Sequence, residues 1–115
     1  MKGMYSSTDV KGVASMVYLF NAPPGHDQPS LVTHIWTRHD IRGKGYASRL
    51  FNQVLADADR QNVVLMLSIQ PDPGGLPYSA LHLWYKRCGF IYCSEYDDPT
   101  MIRYPQELSR IAKLA

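Results

Sequence analysis

The sequence predicts a mixed α/β (α+β) domain, and three observations carry that expectation. In residues 45–61, Ala47, Leu50, Phe51, Val54, Leu55 and Ala58 recur at i, i+3, i+4, i+7 spacing, while Ser48, Arg49, Asn52, Gln53, Asp57 and Arg60 take the other side. This is the pattern of an amphipathic helix packed on a sheet. Residues 63–69, Val-Val-Leu-Met-Leu-Ser-Ile, are almost continuously apolar, as in a central strand covered on both faces. Between an apolar stretch at 31–37 and the helix lies Arg42-Gly43-Lys44-Gly45-Tyr46-Ala47-Ser48, a basic, glycine-rich turn.

The remaining elements follow in order. Residues 1–11 carry little pattern and are expected as a short or frayed segment. Residues 13–20 are mostly apolar and rich in β-formers, hence a strand. Residues 21–30 hold three prolines and a glycine and read as a loop. A second strand spans 31–37. After the helix and the buried strand, residues 70–77 carry three prolines and two glycines and form another loop. A second helix fits 78–87, ended by Gly89 as a left-handed residue that satisfies the last carbonyls. Residues 90–95 and 100–104 close the sheet around an acidic turn, and 105–114 offers a short terminal helix. The order is β-β-α-β-α-β-β-α in one domain, 1–115.

Bulk properties narrow the function classes. A chain of 115 residues supports one core burying roughly 60–70% of the unfolded surface. A net charge of +2 with pI near 8.6 is too mild to argue for nucleic acid. Charge is uneven, however: Arg38, Arg42, Lys44 and Arg49 gather at the glycine turn with Asp40 opposing them, and Glu95, Asp97 and Asp98 gather later. Two cysteines, Cys88 and Cys93, make neither a disulfide framework nor a zinc site and are expected as buried reduced thiols. No segment approaches the ~20 apolar residues of a membrane span, and no signal peptide is recognisable at the N-terminus. The expectation is a soluble, cytoplasmic protein.

The glycine turn points to a phosphorylated small molecule. The first turn of a helix leaves N–H groups without partners, and the macrodipole adds partial positive charge there. Glycine lets the main chain approach a ligand closely. Two nucleotide motifs are excluded. A Walker loop needs glycine where Arg38 stands and serine or threonine where Gly45 stands. A dinucleotide fingerprint needs a small third residue at Ser48 and a later acid outside the helix, whereas Asp57 and Asp59 lie inside it.

Downstream comes Leu83-Trp84-Tyr85-Lys86-Arg87-Cys88-Gly89-Phe90, about forty residues beyond Arg42-x-x-Gly45-x-Ala47, with one helix and one buried strand between. Together these segments resemble the GNAT-type N-acetyltransferase superfamily. Its members carry Arg/Gln-x-x-Gly-x-Gly/Ala at the acetyl-CoA pyrophosphate loop and a Leu-Tyr-x-Lys-x-Gly-Phe-like segment on the next helix. Met101-Ile102-Arg103-Tyr104-Pro105 is similar to the family's closing strand. The resemblance covers roughly residues 30–105. It implies a mostly antiparallel sheet, flanked by helices, whose central parallel pair, 31–37 and 63–69, splays apart to admit the pantetheine arm of acetyl-CoA.

The resemblance further implies an N-acetyltransferase that moves the acetyl group of acetyl-CoA to a primary amine by direct attack in a ternary complex. The cofactor-binding residues it implies are Ile35, Trp36, Thr37, Arg42, Gly43, Lys44, Gly45, Tyr46, Ala47 and Ser48. The N–H groups of 43–48 would hold the pyrophosphate, and Thr37 would contact pantetheine. Arg42 and Lys44 would add charge, Lys44 towards the ribose phosphate. A backbone N–H near Ile35 or Trp36 would serve the oxyanion. Tyr85 matches the tyrosine whose hydroxyl protonates the departing thiolate, a role that a phenol can fill as a positioned donor. For the general base the strand offers no carboxylate, only Thr33 and His34, which strand alternation sends to opposite faces. His34 is the candidate base, with His26, His39, Asp40, His82 or a water chain as alternatives.

The chain departs from the family pattern in two places. Only about thirty residues precede the cofactor strand, and none shows a clear helix, so the acceptor side is expected to be open, built by the loop 70–77 and the C-terminal segment, or completed by a second copy in a homodimer. Tyr78 and Leu81 replace the frequent asparagine and alanine of the second helix. The open front suits a bulky acceptor such as a protein lysine, an N-terminus or an aminoacyl-tRNA, while Glu95, Asp97 and Asp98 leave a small cationic amine open. Trp36 and Trp84 are expected in the core rather than a cleft. The competing readings are an acyl-CoA-binding regulatory or inhibitor module without turnover and, more remotely, a nucleic-acid-binding domain.

Overall fold

The computed structural model describes residues 1–23, 28–93 and 99–106. One six-stranded sheet runs through them in the spatial order β1-β2-β3-β4-β6-β5. Its strands are β1 (Met4–Asp9), β2 (Gly12–Phe20), β3 (Ser30–Thr37), β4 (Leu65–Ser68), β5 (Ile91–Tyr92) and β6 (Thr100–Arg103). Helix α1 (Tyr46–Arg60) links β3 to β4, and α2 (Tyr78–Arg87) follows β4. Neighbouring strands are antiparallel except β3 and β4, which are parallel. The fold class expected from the sequence is the one observed.

Residues 1–11 correct the expectation of a frayed start. Met4–Asp9 is a strand paired with β2 from Met4↔Tyr18 to Asp9↔Gly12. Its polar run Ser6-Ser7-Thr8 hides the period, because this is an edge strand in which Tyr5 is the one residue in the buried class. Tyr5 reaches across to α1 and donates its hydroxyl to Asp57 at 2.5 Å.

Leu50, Phe51, Val54, Leu55 and Ala58 of α1 meet Val17, Leu19 and Val32 from the sheet, and Leu65 and Leu67 from β4, in one core. Leu65, Met66 and Leu67 are all buried, the two-sided cover expected of a central strand. The strand itself is shorter than expected: Val63 and Val64 lead into it, and the Val64 carbonyl accepts from Ser30 N–H at 2.8 Å. The second helix has the expected bounds. Residues 107–115, which contain most of the expected terminal helix, lie outside the described residues, as do 94 and 95 at the end of the strand expected at 90–95.

A buried ion pair ties the C-terminal half together. Arg103 of β6, 3% exposed, places its guanidinium on Asp59 of α1 at 2.9 and 3.1 Å and donates Nε to the Cys88 carbonyl at 2.7 Å. The carbonyl belongs to a Schellman turn: Gly89 N–H bonds Lys86 and Phe90 N–H bonds Tyr85, at 3.1 and 3.0 Å. Gly89 has φ +98°, and a Cβ there would stand 3.2 Å from Arg103 Nε. Glycine is therefore required on two grounds. The turn brings Phe90 onto Tyr85, with ring centroids 5.8 Å apart. Cys88 and Cys93 are free and half-buried rather than fully buried.

Candidate active site

The site begins where β3 and β4 part. They pair only at Ser30↔Leu65 and Leu31↔Met66, although β3 continues to Thr37. Beyond that point a cavity of about 750 Å³ opens, lined by residues 32–37 of β3, Leu67 and Ser68 of β4, the turn after β3, the loop after β4, and α2. Ligands commonly bind beyond the carboxyl ends of parallel strands that diverge in this way.

An irregularity in β3 shapes one wall. Tyr18 pairs with His34 but Leu19 pairs with Val32, so Thr33 is an extra residue. Such a bulge disrupts simple alternation along the strand. Thr33 and His34 are both exposed and both line the cleft, so the expected strict alternation in their burial is not seen at the bulge. The Thr33 hydroxyl donates to the Tyr18 carbonyl at 3.3 Å. The His34 ring stands 6.3 Å from that of Tyr18.

The glycine turn forms the mouth. A 3-10 turn over His39–Ile41 anchors it through buried Ile41. Gly45, at φ +84°, caps α1 with no side-chain hydrogen bond. The N–H groups of Gly43, Gly45, Tyr46, Ala47 and Ser48 have no acceptor among the described residues, and all of these residues line the cleft. Arg42 donates Nε to the Thr37 carbonyl at 3.3 Å, and its Nη1 lies 3.7 Å from where a Gly74 Cβ would be. Arg49 folds over the turn, donating to the Lys44 carbonyl at 3.3 Å and lying 4.8 Å over the Tyr46 ring. Free N–H groups, a helix N-terminus and a guanidinium fit a pyrophosphate.

Two expected cations stand elsewhere. The Lys44 side chain does not line the cleft. Arg38 is held by Asp9 at 2.5 and 3.0 Å and by Asp40 at 2.6 Å. Its guanidinium holds the Asp9 and Asp40 carboxyls below the ordinary value. Asp9 is twenty-nine residues away in sequence, so charge clustering along the chain overstated the basic patch.

Tyr85 projects into the cleft from α2 and is 8% exposed. Its ring is clamped by Trp84 at 5.1 Å, Phe90 at 5.8 Å and Phe51 at 6.1 Å, and its hydroxyl makes no hydrogen bond among the described residues. Burial, then Cys88 and Asp72, push its pKa up to about 12, so the group is a protonated donor at neutral pH. Ile35, Trp36, Thr37 and Trp84 also line the cavity; both tryptophans are half-buried, Trp84 packing against the core as expected while also facing the cleft, and Trp36 standing as a cleft wall outside that core.

The other base candidates are not gathered here. Asp40 is bound to Arg38, and neither it nor His39 lines the cleft. His82 stacks on Tyr78 at 6.3 Å and lines a separate shallow pocket with Tyr92. His26, Glu95, Asp97 and Asp98 lie outside the described residues. The cleft instead includes Gln70 and Asp72, from the loop expected to help build the acceptor pocket, and Arg87, which was not among the expected site residues.

A family model described as Acetyltransferase (GNAT) domain matches residues 8–92. No curated protein matches the sequence. Among solved structures, the ribosomal-protein-S18-alanine N-acetyltransferase from Escherichia coli superposes with a TM-score of 0.70 at 15% identity, covering 89% of this chain and 68% of that one. A protein titled histone acetyltransferase HPA2 and related acetyltransferase from Corynebacterium glutamicum gives 0.62 at 18%, covering 89% and 64%; this chain therefore spans less than two thirds of that relative. The anti-CRISPR protein AcrVA5 gives 0.65 at 14%, covering 88% and 98%. At these identities the structures establish the fold, and the family model, matched over most of the sequence, establishes that this chain belongs to the GNAT acetyltransferase family, whose members use acetyl-CoA as the acyl donor.

Proposed function

We propose that the protein transfers the acetyl group of acetyl-CoA to a primary amine of a protein, peptide or small molecule, by direct attack in a ternary complex. One observation carries this reading: the N–H groups at the start of α1 and the hydroxyl of Tyr85, all unpaired among the described residues, line one cleft between splayed strands. Gly43, Gly45, Tyr46, Ala47 and Ser48 would bind the pyrophosphate with Arg42, and Ile35, Trp36 and Thr37 would flank the pantetheine arm. Acetyl-CoA, when bound, supplies a thioester carbonyl that an amine can attack. Tyr85 Oη holds the proton that the departing sulfur needs. His34, exposed in the same cleft, would take the proton of the amine. A backbone N–H at Ile35 or Trp36 is the oxyanion donor in this scheme.

Among the described residues no helix precedes β3, and the Escherichia coli neighbour is named for acting on an alanine of a ribosomal protein. Both favour a protein or peptide acceptor. A homodimer that completes the open front belongs to the same reading and is tested by sedimentation equilibrium. No helix among the described residues is long and apolar enough to cross a membrane, which is consistent with the proposed cytoplasmic location. The second reading, a regulatory module that binds acyl-CoA without turnover, rests on the absence of a carboxylate from β3.

The test is thermal unfolding with and without acetyl-CoA, in wild type and in an Arg42→Glu, Gly45→Asp double variant, followed by thiol release with mixed peptides. A ligand at a hundred times its Kd adds about 2.7 kcal/mol, or about 10 °C for a domain of this size. The expected result is a shift in wild type, none in the variant, and thiol release that depends on peptide. A shift without thiol release would favour the regulatory module. No shift in a folded wild type would overturn both readings.

A further inference from the structure

We propose that the face of the sheet turned away from both helices is an interface for a second copy of this chain, anchored by Phe20 and Leu31. This gives the proposed homodimer its contact surface and rests on that part of the reading.

Strand register builds the face. Val17, Leu19, Val32, Leu65, Leu67 and Met101 pack in one core with α1 and with Tyr85 of α2, so both helices lie on the same side of the sheet. Successive strand residues point to opposite faces, and directly paired residues point the same way. The other side is therefore crossed by a chain of apolar pairs: Met4↔Tyr18, Phe20↔Leu31, Leu31↔Met66, Met66↔Ile102 and Ile91↔Ile102. Tyr18 and Phe20 share β2, so the strip runs through all six strands.

The strip is open. Met4, Tyr18, Phe20, Leu31 and Ile91 are between 38% and 67% exposed. Single exposed apolar residues are ordinary, whereas a contiguous strip of them marks a contact surface. The face also lacks the charge that would keep it solvated. Its strand positions include His34, paired with Tyr18, and no Lys, Arg, Asp or Glu. Two of its polar side chains are bonded to each other, Ser68 to Thr100 at 3.4 Å, which lowers the cost of covering them.

Area and charge both favour a second copy as the occupant. Strands of six, nine, eight, four, two and four residues, at about 3.3 Å per residue and 4.8 Å between strands, offer roughly 500 Å² in plan before side-chain relief is counted. A stable interface takes about 600–1,000 Å² per partner, so the face reaches the low end of that range. A surface without fixed charge meets a two-fold copy of itself with no like-charge repulsion and no ion to desolvate, and it offers nothing to steer a charged partner. Two such sheets stack about 10 Å apart with strands about 30° from aligned. The glycine turn follows Thr37, at the opposite end of β3 from Leu31, so the cofactor mouth stays outside the contact.

The test is sedimentation equilibrium on wild type, a Phe20→Lys, Leu31→Thr double variant, and Tyr92→Lys. Tyr92 is the control, because it is equally exposed on β5 but pairs with Met101 on the helix side. Wild type is expected to dimerise with a dissociation constant on the order of 10 µM, as suits an interface of this size. The double variant should weaken that at least tenfold while keeping its unfolding midpoint and its thermal shift with acetyl-CoA, and Tyr92→Lys should dimerise as wild type does. Should the double variant fail to fold, Met4→Lys, Ile91→Lys makes the same test at the two ends of the strip. A wild type that stays monomeric would overturn the inference together with the homodimer and leave the face to a different partner. A folded double variant that still dimerises, or an equal loss in Tyr92→Lys, would overturn the interface and leave the homodimer standing. The acetyl-CoA shift of wild type reads the acetyltransferase reading separately from all of these.

Discussion

Both helices line the cleft, and two of their ends are finished in opposite ways. The C-terminus of α2 is closed: Gly89 and Phe90 N–H groups take the Lys86 and Tyr85 carbonyls, and Arg103 takes that of Cys88 while resting on Asp59. The N-terminus of α1 is open, with a glycine cap, no side-chain hydrogen bond and no acid in its first turn. Capping such an end with serine, threonine, aspartate or asparagine rather than alanine stabilises a helix by about 0.5–2 kcal/mol. The open end forgoes that, and the donors it leaves unpaired are the ones that fit an anion. Hydrogen-bonding capacity consumed by the fold marks architecture, and capacity left over beside a cavity marks a site.

The closed end can be broken where it is most costly. Asp59→Ala would strand the Arg103 guanidinium, 3% exposed, without its partner. Breaking a buried pair costs about 3–5 kcal/mol, and the lower figure is expected because the Asp59 side chain keeps 22% exposure. Urea unfolding measures this; a loss under about 1 kcal/mol, the scale of a surface pair, would mean that the closed end is not structural.

Tyr85 belongs to the closed end by its backbone and to the open cleft by its hydroxyl. Tyr85→Phe should therefore leave the unfolding midpoint and the acetyl-CoA shift unchanged, while thiol release falls about a hundredfold, the lower range for a general acid. Loss of stability instead of rate would place the hydroxyl in the architecture and remove the proposed role.

What was legible in the sequence follows the same division. Helix α2 has the bounds that Pro77 and Gly89 announce, and α1 the face that Leu50, Phe51, Val54 and Leu55 announce, because caps and periodicity are local. The glycine turn was legible for the same reason. Strand β1 was not, since an edge strand with a single buried side chain has almost no hydrophobic period to read. The bulge at Thr33 inserts a residue that appears only in the register with β2. Arg38 looked free because its partner Asp9 is remote in sequence, and Asp72 was not singled out within the loop 70–77 because nothing local shows which of its residues line the cleft.

A smaller effect sharpens the comparison at Gly89. Gly89→Ala keeps the carbonyl partners but forces a Cβ into left-handed backbone at φ +98°, 3.2 Å from Arg103 Nε. A loss of about 1–2 kcal/mol is expected from the conformation alone, read as a lower urea midpoint. The same exchange at Gly43, where a Cβ would meet nothing within 4 Å, should show the conformational cost without the clash. Equal losses at the two positions would mean that the contact with Arg103 adds nothing.

The smallest effect concerns the arginine that the fold consumes near the open end. Arg38 holds the carboxyls of Asp9 and Asp40 below their ordinary value of 3.8, mainly by hydrogen bonding. A carboxyl whose folded-state pKa is depressed binds its proton more readily in the unfolded chain. Its stabilisation is present above about pH 4 and is lost as pH falls through the folded-state value. Arg38→Ala should thus lower the melting temperature at pH 7 and narrow its gap to wild type below pH 4. The acetyl-CoA shift at pH 7 should be the same in both, because Arg38 is spent on Asp9 and Asp40, whereas Arg42 is proposed to meet the pyrophosphate. A diminished ligand shift in Arg38→Ala would show that the two arginines are not divided between architecture and site, and the contrast between consumed and reserved donors would fail at its nearest neighbours.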